Sequence, residues 1–370
     1  MKKAAIGILS LLLLTGCWDR LLLRNLQLVD IAGLDLDEEN GDVELSMIVT
    51  KLNSTGQGEG EPNLETTEIR EPSLMEAVGQ GDYTDRSPFL GINTRIYMIS
   101  KRFASKDPVS KLTFLLNTPY SSVNTPVIVF EGNVSKLLKT QSGRNNDFTK
   151  NLNEFILSLD RNGMMPTVSM MRFILSQEEP LEDIALPVLK KFNAGMELSG
   201  ALLFRQGRNT GVNLNKEQVQ MSMLLLGMDK GRQRFTGQMP ENGEGRHIQY
   251  GFSVKKGNSK IIVHPESRGL PKVTIEVRLQ INTFGLGKSV HMLKSDYVNR
   301  MEKELSKHLE EKAAATIETM QKANCDILGI GKELKAFHPN IWKSLNWRKD
   351  FPEMSIEPNF DVQILNAVAE

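Results

Sequence analysis

Lys272-Val273-Thr274-Ile275-Glu276-Val277-Arg278-Leu279-Gln280-Ile281 alternates apolar and polar side chains without a break. Successive side chains of a strand point to opposite faces, so this stretch is a strand with one buried and one wet face. Ile248, Tyr250, Phe252 and Val254 show the same alternation upstream, and Phe360, Val362 and Ile364 show it downstream. One-sided burial favours an antiparallel sheet. Between these strands, Ser295 to about Asn324 carries Tyr297, Met301, Leu305, Leu309, Ala313, Ile317 and Met320 at spacings of three and four. That is the stripe of a long amphipathic helix. Laying the helix across the sheet buries both apolar surfaces, which predicts a C-terminal sheet-plus-helix domain over 246–370.

Working towards the N-terminus, 191–245 reads as a small middle domain. Met196–Phe204 and Gly211–Leu214 form a hairpin around Arg205–Asn209, and Asn215 with Gln218 caps a helix carrying Val219, Met223 and Leu226. Gly227 suits its end. The polar, glycine-rich run Gly231–Gly245 reads as a linker or exposed loop. Residues 24–190 read as an N-terminal α/β domain. It holds a hairpin of Leu28–Leu36 and Val43–Leu52 turning at Asn40-Gly41, then a loop over Asn53–Asn63. A helix follows from Leu74 to about Gly79 behind the capping box Ser73/Glu76. Ile92–Ser100 is a central strand, and Pro108–Leu116 a helix with Asp107 at its N-cap. Val127–Glu131 is a strand, and Phe148–Leu159 a helix with Leu152, Phe155, Ile156 and Leu159 on one face. The fold class is α+β: three domains, each a mostly antiparallel or mixed sheet flanked by helices.

The first sixteen residues stand outside this pattern. Lys2 and Lys3 precede an apolar run, Ala4–Leu14, that is shorter than the about 20 residues a bilayer span needs. Leu14-Thr15-Gly16-Cys17 then reads as a lipobox. Residues 1–16 are a signal peptide, and 17–23 a lipid anchor and linker. Cys17 is expected to carry a diacylglyceryl group on its sulfur and to become the new N-terminus, holding the protein at the membrane. Basic and acidic side chains number 45 each. A neutral body argues against nucleic acid and against electrostatic membrane docking, so attachment falls to the lipid. With Cys17 acylated, Cys325 has no partner and reads as a buried structural thiol.

No local pattern carries chemistry. The five histidines (His247, His264, His291, His308, His338) include no i, i+4 pair, and neither HExxH nor G-x-S-x-G occurs. Gly287-Lys288-Ser289 lacks the first glycine of a phosphate loop, because that position is Asn282. Asp35-Leu36-Asp37 opens like a calcium loop, but Asn40 stands at loop position six and Ser46 at position twelve. No catalytic, cofactor-binding or metal residues emerge, and no cofactor is implied.

The order of features resembles the Ger(x)C family, the lipoprotein C subunits of spore nutrient germinant receptors. Cys17-Trp18-Asp19-Arg20 after the lipobox carries the resemblance, with the strand Ile31–Asp37, the Ser73-Leu74 helix start, Phe89-Leu90-Gly91 and Ser199-Gly200-Ala201. The most specific run is Gln321, Asp326, Gly329, Gly331, Pro339, Trp342, Trp347 and Phe351-Pro352. The resemblance implies three α/β domains and no catalytic activity. It also implies an anchor on the outer face of the inner spore membrane, and assembly with an A subunit and a multispanning B subunit. A solute-binding lipoprotein delivering a small ligand to a membrane transporter is the alternative. It calls for two lobes with parallel sheets around a cleft, against which the alternation over 248–281 speaks. An exported hydrolase lacks a nucleophile or metal signature.

Overall fold

The computed structural model describes residues 27–51, 63–81, 89–118, 121–142, 147–193, 195–227, 233–241, 246–266, 269–286 and 295–366. The signal peptide, Cys17 and His291 lie outside them, as do Gly287-Lys288-Ser289 and all but the last residue of the Asn53–Asn63 loop.

The described strands form two sheets. The larger runs in the order β3-β2-β1-β5-β6-β7-β8-β9, built from β1 (Gln27–Leu36), β2 (Val43–Lys51), β3 (Asn63–Glu71), β5 (Ile96–Ser100), β6 (Val127–Phe130), β7 (Ile184–Phe192), β8 (Gly195–Arg205) and β9 (Arg208–Asn215). The short strand β4 (Phe89–Leu90) pairs with the start of β1. Its centre, β1-β5-β6-β7, is parallel, and antiparallel hairpins flank it on both sides. Every residue of β5 and β6 is buried, as strands covered on both faces must be. One core packs Phe103, Leu112, Phe173 and Phe204 under the helices on one face. The other packs Ile31, Met98, Leu138, Leu152 and Ile156 under the helices Val134–Ser142 and Phe148–Arg161.

The smaller sheet is β10 (Arg234–Glu241), β11 (Arg246–His264), β12 (Lys272–Leu286) and β13 (Ile356–Ile364) in sequence order. The helix Ser295–Lys322 lies across it and buries Met301, Leu305, Leu309, Ala313 and Ile317 against Val273, Ile275, Val277, Leu279 and Ile281. The alternation in β12 and the stripe of the helix thus meet as expected. The last strand is parallel to β12, so the sheet is mixed. Its outer edge is covered: Phe360 N–H donates to Glu310 Oε1 (3.0 Å) and Ile364 N–H to Glu302 Oε1 (2.7 Å). Two carboxylates two turns apart on the helix thereby seal an edge that would otherwise invite another strand.

Several boundaries are redrawn. Residues 191–245 build no sheet of their own among the described residues. β8 and β9 continue the large sheet, and β10 begins the small one. The Gly231–Gly245 run is therefore not simply a linker. Phe235 and Met239 are buried two positions either side of Gly237, a period-two pattern thinned by its glycine. The helix Lys216–Leu225 has the expected Asn215/Gln218 capping box. Its second half, Met221–Leu225, is wholly buried because the helix lies between two cores: Val219 faces one, while Met221, Leu224 and Leu225 face the other. Residues Gly91–Asn93 form a 3-10 turn ahead of β5. The Pro108 helix tightens to 3-10 geometry after Leu112, and Asp107 makes no side-chain cap bond.

At Gly200 a Cβ would stand 2.2 Å from the Leu214 carbonyl oxygen of β9. A backbone atom within a ladder cannot move aside. Gly200→Ala should therefore lower the urea unfolding free energy by about 1–3 kcal/mol, as overpacking does. An unchanged midpoint would show that the hairpin slides freely.

Candidate functional site: a buried joint between the sheets

The long helix ends in a specific way. Asn324 sits in the left-handed region (φ 47°), Cys325 N–H donates to Met320 O (3.0 Å) and Asn324 N–H to Gln321 O (2.9 Å). This is a Schellman cap with asparagine in the place usually taken by glycine. The turn aims four groups within six residues at different partners. Gln321 Nε2 donates to Phe351 O (2.9 Å) and Met354 O (2.8 Å), and Asn324 Nδ2 to Arg348 O (2.6 Å). The Cys325 thiol donates to Phe204 O of the large sheet (3.4 Å). Asp326 N–H donates to Asp183 Oδ2 (2.7 Å), at the entry to β7.

The Asp326 carboxylate turns the other way and organises the next helix, Ile330–Phe337. Its Oδ1 accepts from Gly329 N–H (2.9 Å) and Ile330 N–H (3.1 Å), and its Oδ2 from Gly331 N–H (2.8 Å). These are the first N–H groups of a helix, which have no partner within it. Gly331 packs flush against Trp347, where a Cβ would come within 2.6 Å of the indole. Trp347 in turn packs on Phe351 (5.1 Å between centroids) and Trp342 (5.8 Å). Asp183, nearly fully buried, is held by a two-pronged pair with Arg348: Nη1 to Oδ2 at 2.7 Å and Nη2 to Oδ1 at 2.8 Å. Arg348 also donates to Pro180 O and to Asn324 O (3.3 Å). Beside it, Glu182 bridges Arg172 and Lys332.

Burial, helped by the like charge of neighbouring Asp183, pushes the Asp326 carboxyl up to about 6, against the lowering effect of the three N–H groups. The sign of the consequence is fixed. A carboxyl raised above its unfolded value of 3.8 binds its proton more tightly in the fold. Its contribution to stability is full below about pH 3.8 and is lost as pH rises through about 6. Stability measured from pH 4 to 7 should fall with this group's titration, and Asp326→Asn should flatten that segment of the curve. A slope unchanged in the variant would assign the titration elsewhere.

The joint is built to hold. Its carboxylates are occupied by backbone N–H groups and guanidinium, and the Cys325 thiol is pushed well above its usual value by burial and by Asp183 and Asp326. Cys325 is buried, as the sequence suggested, and its position is structural. A second buried acid, Asp35, plays the same part in the large sheet. It accepts from Ser100 Oγ (2.6 Å), Leu36 N–H (2.8 Å), Val134 N–H (3.2 Å) and Arg102. The four described histidines have no carboxylate hydrogen-bond partner among the described residues; His308 packs against Tyr250, and burial lowers its pKa. Among the described residues no three His, Cys, Asp or Glu side chains gather as a metal site. No described helix is long and apolar enough to cross a membrane.

The joint draws in most of the C-terminal residues that carried the resemblance. Gln321, Asp326, Gly329, Gly331, Trp342, Trp347 and Phe351 converge on it, from positions scattered over thirty residues. Two family models match the chain in tandem. The description "Spore germination protein N-terminal domain" fits residues 19–191, and "Spore germination B3/ GerAC like, C-terminal" fits residues 199–367. The chain belongs to the Ger(x)C family of spore germination proteins. It is 22% identical to spore germination protein GerQC of Bacillus cereus over 98% of both chains. It is 21% identical to spore germination protein KC of Bacillus subtilis (strain 168), over 98% of this chain and 94% of that one. The crystal structure of the GerBC protein superposes with a TM-score of 0.58 at 17% identity, over 90% of this chain and 97% of that chain, which supports the α+β fold. Asp183 and Arg348, which close the joint, lie 165 residues apart and gave no local signal in the sequence.

Proposed function

We propose that this Ger(x)C chain is the non-enzymatic C subunit of a spore nutrient germinant receptor. It is acylated at Cys17 and held on the outer face of the membrane beside A and B subunits. The tandem family match over nearly the whole mature chain carries the reading. The relatives are named as spore germination proteins over the same full length, which makes the chain a component of the germination apparatus. The lipobox supports the anchor. The buried joint supports a non-enzymatic body, because its charged groups are committed to holding two sheets together.

Tethering confines the body to a plane and raises its effective concentration toward membrane partners, so weak contacts suffice for assembly. Affinity capture of the full chain from detergent-solubilised spore membranes tests the assignment. An A and a B subunit should co-purify in comparable amounts. Recovery with a transporter permease in their place would favour a solute-delivering lipoprotein.

A further inference from the structure

We propose that the outer face of the small sheet carries a binding site for a sugar ring, with Phe284 as its stacking platform. The long helix covers one face of this sheet; on the other, Thr236, Gln238 and Gln249 are exposed and Phe284 is 55% exposed. The presentation of Phe284 is built. Gly251 pairs with Gly285 and Phe252 with Thr283, so Phe284 is the extra residue of a β-bulge, a device that re-aims a side chain. The bulge is pinned through Thr283. Its N–H donates to Asn366 Oδ1 (2.9 Å), and Asn366 Nδ2 donates to its carbonyl (2.7 Å). Its hydroxyl donates to Gly251 O (3.0 Å) and accepts from Gly285 N–H (3.3 Å).

A Cβ at Gly251 would come within 2.4 Å of the Phe284 ring. The ring therefore rests against the β11 backbone where only glycine leaves it room, one side fixed on the sheet and the rest offered to solvent. Thr236 pairs with Gly251 on the neighbouring strand, and Gln238 pairs with Gln249 two positions along. Two positions of a strand span about 7 Å, so the ring, a hydroxyl and two amides border an area the width of one sugar ring. They line a cleft of about 460 Å³, a volume ordinary for small-ligand sites. Tyr297 Oη donates to Leu286 O (3.0 Å), which sets the cleft beside the start of the long helix, about 40 Å from the joint at its other end.

The lining selects the class of ligand. Among the described residues no charged side chain borders the cleft, so neither an anion nor a cation finds a counter-charge there. The exposed ring offers the negative face of its π-system to polarised C–H groups. A pyranose carries such C–H groups on its faces and hydroxyls round its rim. The amides of Gln238 and Gln249 both donate and accept, as a rim of hydroxyls requires. Neither amide is engaged by another side chain among the described residues. The binding energy per atom of ordinary small ligands puts the dissociation constant of a single ring on the order of a millimolar.

The test uses the full chain in phosphatidylcholine nanodiscs, which carry no sugar, and saturation-transfer NMR with glucose and with the N-acetylglucosamine trimer as probes. At least one probe should take up saturation through its ring C–H groups. Preference for glucose points to a free sugar as the source, and preference for the trimer to a wall glycan. Phe284→Ser should weaken binding about tenfold with the urea midpoint unchanged, and Phe284→Trp should restore it. Gln249→Ala, at an exposed position, should weaken binding about fivefold, and it decides the matter if Phe284→Ser disturbs the fold. Ile92→Ser, which removes an exposed apolar side chain from the large sheet, should leave binding unchanged. No transfer to either probe at ten times the expected constant overturns the proposal, as does binding indifferent to Phe284 and Gln249. Indole taking the cleft as readily as the sugars would mark an unselective aromatic contact and likewise refute it. Such a failure leaves the family assignment and the anchor untouched, since neither enters the argument.

Discussion

Asp326→Ala should cost the protein on the order of 3–5 kcal/mol and loosen one sheet from the other. The substitution leaves the N–H groups of Gly329, Ile330 and Gly331 without acceptors in a site from which water is excluded. Each orphaned buried donor costs about 1–3 kcal/mol, though the sum is less than additive. Against a total of about 5–15 kcal/mol for a typical domain, that is a large share. The effect should spread across the joint, because Asp326 N–H also holds the Asp183 carboxylate that pairs with Arg348. Asp326→Asn keeps two acceptor lone pairs on one oxygen and should lose less. Urea midpoints of the full chain, with hydrogen exchange at Gly329–Gly331 and at the Phe204 strand, would read both consequences. A loss below about 1 kcal/mol in the alanine variant would show that the helix start does not depend on this carboxylate.

Cys17→Ala should move the protein from the membrane fraction to the soluble fraction and impair the germination response, while the body stays folded. The reasoning is additive in methylenes. Each buried CH₂ contributes about 0.8 kcal/mol and one acyl chain holds only marginally, whereas two chains on one sulfur hold almost permanently. Without the sulfur neither chain is attached, and no described helix can substitute as a membrane span. Fractionation of spore extracts with a germination assay on the same strain reads retention and function together. The thermal unfolding of the released protein should match that of the lipidated one, since Cys17 lies ten residues before the first described strand. Full membrane retention of the variant would mean that the anchor lies elsewhere.

The elements legible in the sequence were those whose burial is one-sided. β12 alternates because one face meets the long helix, and that helix carries a stripe for the same reason, so each announced itself alone. The capping pair Asn215/Gln218 was equally local and formed as read. Elements buried on both sides were harder to place. The helix Lys216–Leu225 serves two cores, Val219 in one and Met221, Leu224 and Leu225 in the other, so no single apolar stripe places it. β10 lies in a run that reads as a linker or exposed loop, because Gly237 removes the side chain that would have completed its alternation.

By itself, then, the sequence determined the α+β class, the C-terminal sheet-and-helix pair and the family. These depend on short-range order: charge, apolar spacing and a few invariably local caps. The tertiary structure decided that 191–245 is shared between two sheets, that β13 runs parallel to β12, and that Asp183, Asp326 and Arg348 form one buried joint. Those facts depend on which distant segments exclude water from each other. A carboxylate and a guanidinium 165 residues apart become partners only once both are buried, and nothing in either neighbourhood specifies the other.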